Sequence, residues 1–213
     1  MRIETVEQGS EAWERLRKGR PTASNFVKFL TPRGLRLSQS DTANRYACQL
    51  AAERKGVENP PRLITVAMEN GIELEPEAVE AYENRTGNAC EKVGFVFPDE
   101  TTDWGCSPDR IVFEKGTRET GLLEVKCPEA ETLIFYLADG AVPGNYFLQV
   151  QAQLWITGLP WCDFFAWHPL VKDSFLVRVL PEPAVFDAMD SALPKFCQRV
   201  NEIAAKFETW GAE

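Results

Sequence analysis

Three charged side chains near the middle of the chain have types and a spacing suited to chemistry on a bound cation. Asp109 follows Ser107 and Pro108 in GCSPDRIVF, whereas Glu124 and Lys126 lie in GLLEVKC. Because successive side chains of a strand point to opposite faces, Glu124 and Lys126 share one face. Charged side chains are seldom fully buried without partners. The pattern therefore indicates that these groups hold something between them.

A divalent metal ion is the ligand that this set suits. Mg²⁺ prefers oxygen ligands and is often held by one or two carboxylates together with substrate phosphates. Asp109 and Glu124 on neighbouring strands could supply the carboxylates, and Val125 a backbone carbonyl. Lys126 could orient the attacking water and stabilise developing negative charge. From the pattern alone, a Glu–Lys pair on a solvent-facing strand is the favoured alternative, because so short a motif recurs by chance.

The segments that must position these residues predict an α/β pattern. Apolar stretches bounded by turn-rich segments such as KGTRETG are typical of strands, and periodic stretches with capping residues are typical of helices. Pro76 should kink or restart the helix that contains it. One mixed-sheet domain flanked by helices is the simplest account. The predicted strands are CEKVGFVF, GCSPDRIVF, GLLEVKC, CDFFAWHP and SFLVRVL. The predicted helices are EAWERLRKG after Ser10, a helix from about 22–24 to Leu30, DTANRYACQLAAERKG from Ser40 or Asp41, 65–85, PGNYFLQVQAQLWITG, and PAVFDAMDSALPKFCQRVNEIAAKFETW with Pro194 inside it.

Composition narrows the class of protein. The 213 residues, 44% hydrophobic and 26% charged, fit one globular domain, 1–213. No apolar run approaches the roughly 20 residues that span a bilayer, and the acidic, polar start does not resemble a signal peptide. The six cysteines form no CxxC pair, which argues against a zinc or iron–sulfur site and suits a reducing cytosol. We therefore expect a cytoplasmic protein that does not bind a membrane.

Charge is unevenly distributed along the chain. The net charge of −9 is unusual for a DNA-binding protein. However, residues 1–50 carry nine Lys or Arg against five Asp or Glu, and 69–109 carry eleven acidic residues against two basic ones. This polarity would place a basic surface against phosphates and a carboxylate cluster against metal ions. An uneven surface without such a role is an equal alternative on charge alone.

Several motifs in a constant order resemble a known family. Pro108-Asp109 with Glu124-Val125-Lys126 is similar to the signature of PD-(D/E)XK nucleases. VEQGSEAWERLRKGRPTASNF, CSPD, GLLEVKCP and QVQAQLW together resemble the lambda-type phage exonucleases, also called alkaline exonucleases, of the YqaJ-like viral recombinase group. The resemblance covers about residues 5–170 and implies a restriction-endonuclease-like α/β core, a central mixed sheet flanked by helices.

The resemblance also implies an activity and a metal site. The lambda-type exonucleases degrade one strand of linear duplex DNA processively from the 5′ end, with Mg²⁺ or Mn²⁺, and leave a 3′ single strand for recombination. It implies that Asp109, Glu124, Glu75 and the Val125 carbonyl hold two ions, and that Lys126 acts on the water. Spacing alone cannot separate Glu75 from Glu73 or Glu77. Glu91 is a weaker candidate for a further acid.

End recognition is implied by a second set of residues. Arg17 follows Trp13 by one helical turn, so the two side chains share a face, and Ser24 lies near a helix start that favours phosphate. The resemblance assigns the 5′-phosphate to Arg17 and Ser24, which lie in N-terminal helices 10–60 that contribute phosphate and DNA contacts, and to Gln149, the first residue of QVQAQLW. Gln151 and Gln153 are alternatives, or satisfy buried polar contacts.

The resemblance further implies partners and an assembly. It implies a ring-shaped homotrimer, a duplex with a 5′-phosphorylated end, and a phage single-strand annealing protein in a bacterial host cell. Arg33, Arg36 and Arg45 are candidates for duplex contacts on charge grounds. A lone histidine without metal-ligand spacing, His168, is expected to be a strand-end residue.

Two other functions compete with this one. A PD-(D/E)XK endonuclease, or another end-processing nuclease of the Cas4-like type, would share the metal site, but the Cas4-like form needs a cysteine cluster that the sequence lacks. A DNA-binding recombination scaffold with a decayed site is disfavoured, because Asp109, Glu124 and Lys126 are all present.

Overall fold

The computed structural model describes residues 1–31, 34–57, 66–99 and 101–206, without the side chains of 66–68. Within these ranges a first strand and the first helices precede a run of four strands, and two further strands lie between the last two helices. The strands are β1 Arg2–Glu4, β2 Ala89–Lys92, β3 Phe95–Phe97, β4 Arg110–Phe113, β5 Thr120–Lys126, β6 Cys162–Ala166 and β7 Phe175–Val179. The helices are α1 Glu11–Arg17, a 3₁₀ helix Ala23–Lys28, α2 Asp41–Arg54, α3 Val66–Thr86, α4 Ala130–Asp139, α5 Gly144–Thr157 and α6 Pro183–Lys206.

A five-stranded mixed sheet in the order β2-β4-β5-β6-β7 lies at the centre. Only the central pair, β5 and β6, is parallel among these neighbours; the other pairs are antiparallel. The parallel pair needs a crossover, which α4 and α5 provide. The predicted α/β fold, a central mixed sheet flanked by helices, is thus confirmed.

The segment CEKVGFVF forms two strands rather than the single strand that its apolar pattern predicts. β2 joins the central sheet, whereas β3 pairs with β1 in a separate two-stranded sheet. Gly94 lies at the break, where a Cβ atom would stand 2.3 Å from the Glu4 carbonyl oxygen. The chain can turn from one sheet to the other here because only a residue without a side chain permits that approach.

Strand β5 is buried on both of its faces and divides two apolar clusters. Leu123 and Val125 pack with Tyr82 of α3. Leu122 packs on the opposite face with Leu154 of α5. The side-chain period of two therefore directs Glu124, like Leu122, towards α5.

The helices follow the predicted pattern with two differences. α3 and α6 continue through Pro76 and Pro194 as single helices, so of the two effects expected at Pro76, a kink or a restart, no restart occurs. Pro76 is exposed, and Ile72, whose carbonyl loses its partner, is 65% exposed, so water can satisfy that group. The helix predicted after 22–24 is a 3₁₀ helix, and α4 lies in a segment to which no element was assigned.

Local capping explains the helix starts that were predicted. Ser10 accepts a hydrogen bond from Trp13 N at 3.2 Å, and Ser40 accepts one from Ala43 N at 3.3 Å. Residue 65, Arg33 and the end of the last predicted helix, 207–210, lie outside the described residues. No helix in the described ranges is long and apolar enough to cross a membrane. The cysteines, all within those ranges, are free thiols.

Replacement of Gly121 by Ala should destabilise the sheet, because a Cβ atom there would stand 2.3 Å from Trp161 Cδ2. We expect the free energy of unfolding in urea to fall by about 1–3 kcal/mol. Gly144→Ala is the matched control, since a Cβ at Gly144 meets nothing within 4 Å. Equal stability of the two variants would contradict this packing argument.

Candidate active site

Asp109 is fixed beside the end of β5 by a backbone hydrogen bond. It stands immediately before β4, whose first residue, Arg110, lies opposite Leu123 of β5. Asp109 Oδ2 accepts a hydrogen bond from Val125 N at 2.7 Å. The antiparallel pairing therefore brings the carboxyl group to the same edge of the sheet as Glu124 and Lys126, as the spacing predicted.

Glu124 is the most deeply buried acid of the cluster and its side chain has three partners. The residue is 1% exposed. Lys126 Nζ and Gln149 Nε2 donate to Oε1, the latter at 2.5 Å, and Gln153 Nε2 donates to Oε2 at 2.7 Å. These three donors compensate the loss of water around a buried carboxylate. Glu124 and Lys126 share one face of β5, as predicted.

Helix α5 presents alternate glutamines to different neighbours. Gln149 and Gln153 are one turn apart and reach Glu124 together. Gln151 points elsewhere: it donates to the Leu180 carbonyl at 2.7 Å and accepts from Glu182 N at 2.9 Å. Gln149 and Gln153 therefore both bind Glu124 of β5, and Gln153 does so as a buried polar contact. Gln151 satisfies a different buried polar contact, with the chain before α6.

Glu75 reaches the cluster from α3 through an arginine that the motif analysis did not single out. Arg110 Nη1 donates to Glu75 Oε1 at 2.7 Å and to the Asp109 carbonyl at 2.6 Å. Glu73 and Glu77 are exposed, so the contact with Arg110 distinguishes Glu75 from them. The sequence contained a sign that Arg110 is buried and paired. Arg110 shares a strand face with buried Val112 in RIVF, at a position where an apolar residue is expected.

The clustered charges shift the pKa values of two groups. Burial, followed by the nearby Glu124 carboxylate, raises the pKa of Asp109 to about 8, although Lys126 and the Val125 N–H act in the opposite direction. Burial disfavours the charge of Lys126, but Glu124 and Asp109 outweigh it and raise the Lys126 pKa. The ammonium group therefore stays charged, whereas Asp109 pays an electrostatic penalty for ionising.

The donor set fits a hard divalent cation. Within the described residues, no three His, Cys, Asp or Glu side chains are gathered tightly enough to form a metal cluster by themselves. Mg²⁺ does not need such a cage, because one or two carboxylates with water and phosphate oxygens suffice. A cation between Asp109 and Glu124 would offset the repulsion that raises the Asp109 pKa. Val125 could add its carbonyl oxygen, and Glu75 lies next to the same strand end.

The N-terminal helix contacts the loop that carries Asp109. Trp13 Nε1 donates to Ser107 Oγ at 2.8 Å, and the Arg17 guanidinium lies over the Trp13 ring, 4.2 Å from its centroid. Ser24 is exposed in the 3₁₀ helix, which begins beside Gly105. Two of the three predicted phosphate-binding residues, Arg17 and Ser24, thus lie on elements that contact residues 105–107, the segment leading to Asp109.

The remaining candidates lie apart from this cluster. His168 follows β6, and its Nδ1 accepts a hydrogen bond from Leu170 N at 3.1 Å, which is the arrangement of a strand-end residue. Glu91 is exposed on β2 opposite Ile111. Arg36 and Arg45 are exposed, as a contact to a duplex would require.

Comparison with solved structures identifies the fold class. The alkaline exonuclease LHK-Exo of Laribacter hongkongensis is 26% identical over 95% of this chain and 98% of that chain, with a TM-score of 0.82. Its complex with dAMP is 27% identical over 93% and 97%, with a TM-score of 0.81. A phage related exonuclease from Haemophilus somnus 129PT, 13% identical over 88% and 96% with a TM-score of 0.68, shares the fold.

The family follows from the sequence itself. The sequence model of one protein family, the YqaJ-like viral recombinase domain, matches residues 12–160 of this chain, from α1 to the segment before β6. The chain therefore belongs to this family, as the motifs around Asp109 and Glu124 indicated. Curated protein sequences gave no significant match.

Asp109→Asn should stabilise the metal-free protein, increasingly so as pH rises. The folded-state pKa of about 8 exceeds the unfolded value of about 3.9. The folded state of the wild type therefore binds more protons, and its free energy of unfolding falls as pH rises from about 4 to about 8. Asn removes this loss and can still accept from Val125 N. With a chelator present, we expect a melting temperature at least about 3 °C above wild type at pH 8, and a smaller difference at pH 5.

Exposed Asp173 provides the matched control, since Asp173→Asn removes the same charge from the surface. A pH-independent difference between wild type and Asp109→Asn would show that the carboxyl group is not under the electrostatic penalty described above.

Proposed function

We propose that the protein is a Mg²⁺- or Mn²⁺-dependent exonuclease that degrades one strand of linear duplex DNA from its 5′ end. The observation that carries this proposal is the bond from Val125 N to Asp109, which places that carboxyl beside Glu124 and Lys126. Membership of the viral recombinase family and the likeness to an alkaline exonuclease support a nuclease acting in phage recombination. The remaining 3′ strand would be the substrate for annealing.

The chain's residues would divide the hydrolysis between them. Two bound metal ions, if present, would polarise the phosphodiester and lower the pKa of water. Asp109, Glu124, Glu75 and the Val125 carbonyl would hold them. Lys126, kept charged by its carboxylate neighbours, would hold the attacking water and stabilise the charge that develops on the phosphate.

The end of the duplex would be recognised by Arg17 and Ser24. Arg offers a planar fork that matches phosphate oxygens, and Arg17 is oriented by its stack on Trp13. Because Trp13 donates to Ser107, the phosphate-binding side chain and Asp109 are joined through one short path. Gln149 would complete the pocket on binding by exchanging its hydrogen bond to Glu124 for one to the phosphate.

Processive digestion would need a way to stay on DNA. A ring-shaped homotrimer that encloses the duplex would provide it, with Arg36 and Arg45 as duplex contacts. The proposed protein partner is a phage single-strand annealing protein. The single domain, 1–213, would serve as one subunit of this ring.

Digestion of end-labelled linear duplex DNA tests the reaction. With Mg²⁺, the wild type should remove the 5′ strand only, faster from phosphorylated than from hydroxyl ends. Asp109→Ala and Lys126→Ala should reduce the rate at least about 100-fold, because they remove a metal ligand and the group that stabilises charge. A chelator should abolish it. Cutting of a closed circle would instead identify an endonuclease, and DNA binding without cleavage would identify a scaffold.

Arg17→Ala should remove the preference for phosphorylated ends while leaving slow digestion of hydroxyl ends. The reason is that a charged hydrogen bond to phosphate, worth about 1.5–3 kcal/mol, is lost. Arg15→Ala is the matched control: Arg15 is exposed on the same helix and pairs with Glu11. The ratio of initial rates on the two substrates is the measurement. An unchanged ratio in Arg17→Ala would refute the assignment of Arg17 to the phosphate pocket.

A further inference from the structure

Arg110 is a buried cation at the junction of three elements. The residue is 6% exposed, on β4, between Lys92 of β2 and Leu123 of β5. The guanidinium group of arginine carries a positive charge. Burying this charge is costly unless it is paired, so its partners show where the fold uses it.

Those partners are both parts of the candidate metal site. Nη1 donates to Glu75 Oε1 on α3 at 2.7 Å and to the Asp109 carbonyl at 2.6 Å. One nitrogen atom therefore joins the carboxylate of α3 to the backbone of Asp109, the residue immediately before β4. No other described residue forms an ion pair with Glu75.

We propose that Arg110 is a positioning residue that holds Glu75 in place to bind the metal ion. This inference rests on the proposed function, because it assumes that Glu75 is a ligand. The Glu75 side chain is 33% exposed and stands on a helix, so without a partner it could rotate into solvent. Arg110 engages only Oε1. Oε2 accepts no hydrogen bond from the described residues and is left for a cation.

Arg110 also makes the accumulation of acids tolerable. Glu75, Glu124 and Asp109 lie close enough that both glutamates raise the Asp109 pKa. Lys126 compensates on the α5 side through Glu124, and Arg110 compensates on the α3 side through Glu75. Each glutamate thus has its own cation, while the Asp109 side chain has a backbone N–H and retains capacity for metal.

The alternative is that Arg110 merely fastens α3 to the sheet. That role would affect stability but would not couple Arg110 to Glu75 in metal binding. A double-mutant cycle separates the two, because residues acting through one contact give non-additive effects. The variants are Arg110→Gln, Glu75→Gln and their combination. Lys92→Gln is the matched control, since Lys92 is an exposed cation directly opposite Arg110.

The measurement is calorimetric titration of the protein with Mn²⁺, with urea unfolding in chelator to establish that each variant is folded. Arg110→Gln should lower Mn²⁺ affinity about tenfold or more, as removal of a residue that orients a ligand commonly does. Lys92→Gln should not. In the Glu75→Gln background, Arg110→Gln should cause no further loss. Full additivity, or wild-type affinity in Arg110→Gln, would overturn the proposal.

Arg110→Lys keeps the inference testable if Arg110→Gln does not fold. It preserves the charge but replaces the rigid guanidinium by a flexible ammonium, so we expect an affinity between those of wild type and Glu75→Gln. Wild-type affinity in folded Arg110→Lys would count against the proposal. If the wild type itself neither binds Mn²⁺ nor cleaves DNA, the proposed function fails. If it does both and the Arg110 variants bind normally, only this inference fails.

Discussion

The central constraint in this protein is the repulsion between two carboxyl groups that the sheet forces together. Asp109 stands immediately before β4 and Glu124 lies on the antiparallel neighbour β5. Neither carboxyl group is free to move away, because Asp109 accepts a hydrogen bond from Val125 N and Glu124 is bound by two glutamines of α5. Other groups around them compensate for this proximity. Lys126 and the two amides of α5 stabilise Glu124, whereas among the described residues the Asp109 carboxyl accepts a hydrogen bond from the Val125 N–H alone. Burial and the Glu124 carboxylate raise the pKa of Asp109, and a divalent cation bound there would offset this electrostatic penalty.

Two side-chain cations, Lys126 and Arg110, pair with acids on opposite sides of the site. Lys126 belongs to the strand and meets Glu124 on the side facing α5. Arg110 belongs to the neighbouring strand and meets Glu75 on the side facing α3. The N-terminal segment adds a third approach, through Trp13 and Ser107, to the loop before Asp109. The candidate site therefore combines residues of the β4–β5 segment with residues of α3, α5 and the N-terminal segment. For this reason no single stretch of sequence contains all of them.

The sequence predicted most of the sheet and the shared strand face of Glu124 and Lys126, because alternation along a strand translates directly into side-chain direction. The roles of Asp109, Glu124 and Lys126 came from the family resemblance, since the pattern alone favoured a solvent-facing Glu–Lys pair. The sequence did not predict that CEKVGFVF divides between two sheets, since the cause is the backbone of Glu4 passing over Gly94, a contact distant in sequence. It predicted a helix over 65–85 but left open whether Pro76 would kink or restart it; α3 continues, and exposure at Pro76 lowers the cost of the missing hydrogen bond. Arg110 could be noticed as a charge in an apolar position, but its partner on α3 depends on tertiary packing. The pairing of Gln149 and Gln153 with Glu124, and of Gln151 with Leu180, likewise required knowledge of which face of α5 meets the sheet.

Helix α5 has no face left uncommitted. Leu148 and Ile156 pack in an apolar cluster with residues of α2 and α6. Val150 and Leu154 pack in a second cluster with Leu122 of β5. The intervening glutamines bind Glu124 or the chain leading into α6. A helix bound on every side cannot shift as a rigid body without breaking several contacts at once. We therefore expect α5 to be among the last parts of the molecule to open. On the opposite side of the site the Glu75 side chain is half-exposed and is held by its contact with Arg110, so an adjustment to a nucleic acid strand would involve this side chain before it involved α5.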